Sequence, residues 1–392
     1  MKLLKNVYQI IRAVRFSKPN RAKVLIFDRG GSENLLGTAL RDIPCSVLAA
    51  RMEEIHLSPS IIWGILKNLR RLESFRPGQL YTIYLLSCIE QIEPAVVITW
   101  VDNSPYFQAL TRLYTTAVFL AVQNGFRHEL SVSSPSQKAG GWLPEPPSPG
   151  STITLSNFFC FGQYVVDIFT RYGHDIGRYY LVGSVLAGYY KTVISPGEAE
   201  IEHDLCLVSE WSGVIMSGIA YPMIKRGLER LYRYLRRYLE ENDLKVVIGG
   251  CSREEAESHY YASAFGERAV FIANDAPSFS TYRAMDRSDL VVSLYSTAAF
   301  EAFGWGKKTL FCNLSDDENL SCPVKGIWSF ADSSYEKFRE RMDILRGLSI
   351  PQYAAHAGEA ARYMMRFDPK RPAHGVIRDT VREALERRVE LR

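Results

Sequence analysis

The sequence predicts an α/β protein of two Rossmann-like domains whose parallel sheets face one another across a cleft, and three observations carry that expectation. Short apolar, often β-branched runs alternate with segments of helical periodicity along most of the chain, the rhythm of a parallel sheet with helices on both faces. Most of these runs end in a polar or glycine-bearing turn, as strands do at the carboxyl edge of such a sheet. The length of 392 residues exceeds one ordinary domain.

Composition narrows the function. Hydrophobic residues at 47% and charged residues at 23% suit a soluble enzyme with apolar surface for two cores. The net charge of +4 is mild and no reading motif gathers the basic residues, so nucleic acid is not a predicted partner. The seven cysteines are odd in number and scattered through apolar runs, without a disulfide framework or zinc spacing. No uncharged apolar run reaches the length of a membrane span and no cleavage site follows the N-terminus, so a reducing, cytoplasmic location is expected.

Residues 1–27 carry seven Lys or Arg and no acid, and Leu3, Leu4, Val7, Ile10, Ile11 and Val14 recur at helical spacing. The pattern predicts a basic amphipathic helix over 1–18. It suits either an anionic membrane surface, peripheral at the inner face, or the helix's own domain. Strands are expected at 23–27, 46–49, 95–101, 117–122 and 158–161, with helices over 60–72, 79–92 and 164–172 and a last strand ending at Val182-Gly183-Ser184. Ser, Pro and Gly dominate 131–151, which predicts a mobile surface loop. The polar stretch 191–203, with Pro196 and Gly197, is read as the interdomain linker, giving a first domain over 1–195 and a second over 200–350. In the second, strands are expected at 204–209, 245–249, 269–272, 290–294 and 309–312, and helices near 222–241, 253–264, 280–287 and 297–304. The tail, 351–392, reads as helices that cross back to the first domain.

The stretch from Leu290 to Asn313 is the most informative. An apolar strand breaks at Tyr295-Ser296-Thr297, a helix starts there, and Gly304 and Gly306 end it before a second apolar strand. Such a turn presents backbone N–H groups and the positive end of a helix dipole, which suit a phosphate. Ser296 and Thr297 add hydroxyl donors, and Glu301 one turn on is placed to accept hydrogen bonds from a ribose. The competing reading makes Ser296 only an N-cap and Glu301 only a solvated helix residue.

The other strand ends extend the candidate list. In the second domain they are Ser209-Glu210-Trp211, Gly249 to Arg253, and Asn274-Asp275, where Arg253 is suited to a diphosphate. In the first they are Asp28 to Asn34, with Gly30, Gly31 and Glu33, then Asp102-Asn103, then Gln123-Asn124-Gly125. Carboxylates and amides there suit a sugar's hydroxyls, and Asp102 or Glu33 is a candidate general base; helix capping is the competing role for Asp28, Asp102 and Asn103. Gly30-Gly31 is not a P-loop, because no Gly-Lys-Ser/Thr follows. His128 and His174 have no partner at metal-ligand spacing, and no metal site is predicted.

The segments VLIFDRGGSENL, RMEEIHL, VVITWVDNSP, AVQNGFRHE, FFCFGQY with RYGHDI and VGS, and FSTYRAMDRSDLVVSLYSTAAFEAFGWGKKTLFCN resemble O-antigen and surface-carbohydrate biosynthesis transferases of the GT-B fold, over most of 23–345. The resemblance implies a nucleotide-activated sugar as co-substrate, used without metal or other cofactor, its donor in the C-terminal domain and a glycan or lipid-linked glycan acceptor in the N-terminal one. A weaker resemblance to CDP-glycerol glycerophosphotransferases breaks at Asn124, where that family often carries a histidine; an amide cannot take a proton. A sugar transferase of O-antigen or capsule-like polysaccharide biosynthesis is therefore expected. The alternatives are a polyol-phosphate transferase, a UDP-sugar 2-epimerase of the same fold, and a non-catalytic nucleotide- or glycan-binding scaffold.

Overall fold

The computed structural model describes residues 13–71, 77–127, 152–219, 221–315 and 317–390. The loop expected over 131–151, His128 and residues 1–12 of the expected N-terminal helix lie outside them. Residues 14–18 of that helix are not helical: Val14–Arg15 (β1) pairs in parallel with Ile55–His56 (β4), and a bend follows.

Two six-stranded sheets, each parallel throughout, form the body of the protein. The first has the order β3-β2-β5-β6-β7-β8, from Cys45–Leu48 (β3), Val24–Phe27 (β2), Val96–Thr99 (β5), Val118–Val122 (β6), Thr154–Cys160 (β7) and Asp175–Leu181 (β8). The second runs β11-β10-β9-β12-β13-β14, from Ala269–Ile272 (β11), Val246–Gly249 (β10), His203–Val208 (β9), Ser288–Ser293 (β12), Lys308–Cys312 (β13) and Ser329–Phe330 (β14). Strand order reverses between β2 and β5 in the first sheet and between β9 and β12 in the second, and at such points a crevice opens outside the carboxyl ends.

Central strands are uniformly apolar because helices cover both faces, as in β2 and β10, where every residue is buried. In the first domain the helices are Ser32–Leu36 (α1), Pro59–Asn68 (α2), Pro77–Ile92 (α3), Pro105–Leu113 (α4), Gln163–Arg171 (α5) and Val185–Tyr189 (α6). In the second they are Gly213–Ser217 (α7), Pro222–Glu241 (α8), Glu255–Phe265 (α9), Ser280–Asp286 (α10) and Thr297–Gly304 (α11). Proline in the first turn starts α2, α4 and α8, where its missing N–H has no intrahelical acceptor to lose.

The stretch read as a linker is tied down at its start. Tyr190–Ile194 forms a π-helical turn, and Asp286 of the second domain accepts hydrogen bonds from Lys191 Nζ at 3.0 Å and Ser195 Oγ at 3.2 Å. Two helices, Tyr335–Gly347 (α12) and Ile350–Met364 (α13), follow the second sheet. The chain then returns past Gly183, whose φ of 78° and closeness to the Arg366 carbonyl leave no room for a Cβ. The last helix, Ala373–Glu390 (α14), buries Ala373, Ile377 and Val381 against Val24, Ile26 and Ile98 of the first sheet.

Candidate active site

The crevice at the reversal point of the first sheet is open. A cavity of about 390 Å³ is lined by Asp28 after β2, Ala50, Arg51 and Met52 after β3, and Val101, Asn103, Ser104, Pro105 and Tyr106 after β5, with Tyr81 of α3 closing one wall. Asp28 is held there with φ 78°, a conformation that a non-glycine residue adopts only when its surroundings fix it. Its Oδ1 accepts from Gly30 N at 2.9 Å and its Oδ2 from Arg51 Nε at 2.7 Å. Tyr81 accepts from Met52 N at 3.1 Å and meets Tyr106 edge-on at 5.2 Å between centroids. Burial pushes the Tyr81 phenol up to about 12, so it stays a neutral hydroxyl.

The helix that caps the same strand end starts from Ser104, whose Oγ accepts from Phe107 N, so neither Asp102 nor Asn103 is the cap. Asn103 is solvent-facing in the cavity wall, whereas Asp102 is buried with Arg127, whose Nη2 lies 2.6 and 2.7 Å from its two oxygens. Asp102 is thus committed to an ion pair and corrects the expectation of a carboxylate presented to an acceptor. Arg127 is 1% exposed, and its Nη1 has no hydrogen-bond partner among the described residues.

At this point the two domains meet. Phe126, beside Arg127, donates its N–H to Thr297 Oγ1 at 3.0 Å, and its ring stacks on Phe300 of α11 at 3.6 Å between centroids. Asn124 Oδ1 accepts from Arg127 Nη2 at 3.3 Å. Ser296 stands at the N-cap of α11, but its hydroxyl makes no cap bond. The N–H groups of Thr297 and Ala298 open the helix and have no intrahelical acceptor. Glu301, one turn on, is buried: Ser184 of the first domain donates to one oxygen and Tyr282 donates to the other at 2.6 Å. Burial pushes its carboxyl up to about 7 against the pull of those hydroxyls. The expected ribose contact is corrected accordingly, since both oxygens are occupied by the protein.

The reversal point of the second sheet differs. Glu210, following β9, accepts at one oxygen from Ser293 Oγ at 2.6 Å and from the N–H groups of Leu294, Tyr295 and Ser296 at 2.8, 3.0 and 3.3 Å. Burial raises its carboxyl although these bonds oppose the rise, and its Oε2 is buried without a partner among the described residues. The amides expected to be free for a phosphate at Tyr295 and Ser296 therefore already hold the protein's own carboxylate. Glu257 does the same at the next strand end, accepting from Cys251 N at 2.9 Å and Ser252 N at 2.8 Å, and from Ser209 Oγ. Ser209 is consequently a buried structural hydroxyl and no donor ligand.

A family model described as "putative O-antigen biosynthesis protein" matches residues 120–331. The chain belongs to this O-antigen biosynthesis family. No curated protein matches significantly. Among solved structures, a UDP-N-acetylglucosamine 2-epimerase superposes with a TM-score of 0.52 at 14% identity, covering 95% of this chain and 97% of that one. The UDP-GlcNAc 2-epimerase of Neisseria meningitidis bound to UDP-GlcNAc gives 0.51 at 11%, covering 93% and 99%. The wall teichoic acid polymerase TagF soaked with CDPG gives 0.51 at 11%, covering 99% and 98%. These likenesses show the fold, GT-B.

Several residues of this chain hold structure where ligand contacts were expected. Gln123 is 1% exposed and bonds Gly125 O and Phe161 N, and Gly31, at φ 72°, packs its Cα on the Trp100 ring. Gly30 lies against the Arg51 guanidinium. Glu33 faces solvent on the first turn of α1 and Arg253 is exposed in a 2.7 Å ion pair with Asp275, both outside the cavity wall. Arg51, Tyr81, Tyr106, Arg127 and Glu257 are the residues that sequence reasoning missed, and the acceptor role of Glu210 was not foreseen. Arg51 and Arg127 carried a usable signal, because each lies in the turn that follows a strand, three residues after β3 and five after β6.

Proposed function

We propose that this O-antigen biosynthesis protein is a glycosyltransferase, moving a sugar from a nucleotide-activated donor to a glycan acceptor of a surface polysaccharide. One chain of contacts supports the reading. Asp102, between the cavity residues Val101 and Asn103, holds Arg127, and the adjacent Phe126 holds Thr297 at the start of α11. The cavity and the N-terminus of α11 are thus linked through Asp102, Arg127 and Phe126, the proximity that transfer between two substrates requires.

The acceptor enters the cavity at Asp28, its one carboxylate, with Arg51, Asn103 and the two tyrosines around the sugar. Asp28, whose partner Arg51 is 57% exposed and free to swing away where Arg127 is buried at 1%, takes the place of Asp102 as the group that orients and deprotonates the attacking hydroxyl. The bond from that oxygen to the anomeric carbon forms as the bond from the anomeric carbon to phosphate breaks, and the nucleotide leaves. The amides of Thr297 and Ala298, the Ser296 hydroxyl and the α11 dipole receive the departing phosphate, with Arg127 beneath and Arg253 able to leave its exposed partner. We propose that these donors stabilise the leaving phosphate without a metal.

The test is release of free nucleotide from nucleotide-sugar donors, in EDTA, on addition of an O-antigen oligosaccharide. Asp28→Asn should lose at least about a hundredfold in rate while donor binding persists. Undiminished release by that variant would remove Asp28 from the reaction, and acceptor-independent sugar inversion would replace transfer by epimerisation.

A further inference from the structure

The structure assigns a second task to helix α2: its outward face docks the protein on an anionic lipid bilayer. Ile61, Gly64 and Asn68 fix which way the helix faces, since all three are buried. A Cβ on Gly64 would sit 3.0 Å from Ser87 of α3, and Asn68 Nδ2 donates to Glu90 at 2.9 Å. The opposite face is left to solvent, with Ile62 49%, Trp63 70% and Leu66 56% exposed. Three large apolar side chains on one stripe of a ten-residue helix are a patch with a direction.

Charge selects the occupant. Lys67 and Arg70 continue the stripe by one turn and make no ion pair among the described residues, and no acid occurs between 55 and 72. Tryptophan with aliphatic neighbours and a basic flank matches the boundary of an anionic bilayer, the apolar side chains entering and the cations reaching phosphate. The β1–β4 pair brings a further exposed apolar side chain to the same place, while its Arg15 is paired with Glu54 at 3.4 Å. Leu57 N, just before α2, donates to Arg15 O at 2.8 Å, and the next residue, Phe16, is 87% exposed.

The surface also adjoins the acceptor cavity. Met52 is exposed and lines the cavity, and Tyr81 of the same wall follows the exposed Leu80 on α3, the helix that packs under α2. Docking by α2 would therefore hold the cavity mouth near the membrane, where a lipid-linked glycan is presented. The docking stands without the transfer reading, while this second step rests on it.

The test is co-sedimentation of the full chain with vesicles of phosphatidylcholine alone and of equimolar phosphatidylcholine and phosphatidylglycerol. Binding is expected only to the anionic vesicles and should weaken with salt. The triple variant Ile62→Ser, Trp63→Ser, Leu66→Ser should bind at least about tenfold more weakly, with unchanged circular dichroism and unchanged donor-induced thermal shift. Lys67→Glu with Arg70→Glu, which leaves the apolar stripe intact, should lose binding to a similar degree. Triple-variant binding equal to the wild type would overturn the proposal, as would equal binding to neutral vesicles. A wild-type dimer that the triple variant dissolves would also overturn it, by making α2 a protein interface. Loss of vesicle binding with the thermal shift retained separates failure at the membrane from failure of the transfer reading.

Discussion

The two sheets have the same parallel construction and opposite contents at their reversal points. Between β2 and β5 the crevice is an open cavity with Asp28 at its base, whereas between β9 and β12 it is filled by Glu210. The difference shows that a strand-end turn with well-aimed amides is not by itself a ligand site. Three N–H groups that would suit a phosphate suit a buried glutamate equally well, and only the first two amides of α11 are left over. What the second domain leaves open is the helix terminus itself, where it touches the first domain.

Removing the plug should have the largest effect. Glu210→Ala strips three amides and the Ser293 hydroxyl of their acceptor and should cost about 4 kcal/mol in urea unfolding, with partial recovery on adding acetate. A loss below about 1 kcal/mol would mean that the turn is satisfied without Glu210.

Glu301 supplies the next largest effect, through pH. Its carboxyl stands at about 7 in the fold against an ordinary 4.5, so between those values the folded state holds more protons than the unfolded one. Stability should therefore fall as pH rises through that window, by an amount on the order of 2 to 3 kcal/mol. Glu301→Gln should remove this component; an identical pH profile in the variant would show that the carboxyl ionises freely.

The smallest change is expected at the rim. Arg253→Ala breaks only an exposed pair with Asp275 and should shift stability by less than about 0.5 kcal/mol, while donor affinity falls about tenfold. Unchanged affinity would return Arg253 to a surface role.

Much of the scaffold could be read from the chain because a buried parallel strand announces itself locally, as VVIT at 96–99 and VVIG at 246–249 do. Strand β14 was missed, since two residues, Ser329 and Phe330, carry no period. The site was less legible, because its decisive pairings are non-local. Glu210 was recognised as a strand end, yet its acceptor role depends on β9 and β12 being neighbours across 83 residues of chain between Glu210 and Ser293. Asp102 likewise looks like a free carboxylate until Arg127, 25 residues on, is folded beside it. Glu301 sits on the expected helix, but only the approach of Ser184 from the other domain decides what its oxygens hold.

The proposed nucleotide-donor site at the start of α11 is tested by calorimetric titration of CMP-, UDP-, GDP- and CDP-linked sugars in EDTA. The wild type is expected to bind one nucleotide class. The Ser296→Ala, Thr297→Ala variant should bind it at least about tenfold more weakly, while losing only about 1 to 2 kcal/mol of stability with the bond from Phe126 N to Thr297. Equal donor affinity in the two proteins, or binding that appears only when a divalent metal is added, would contradict it.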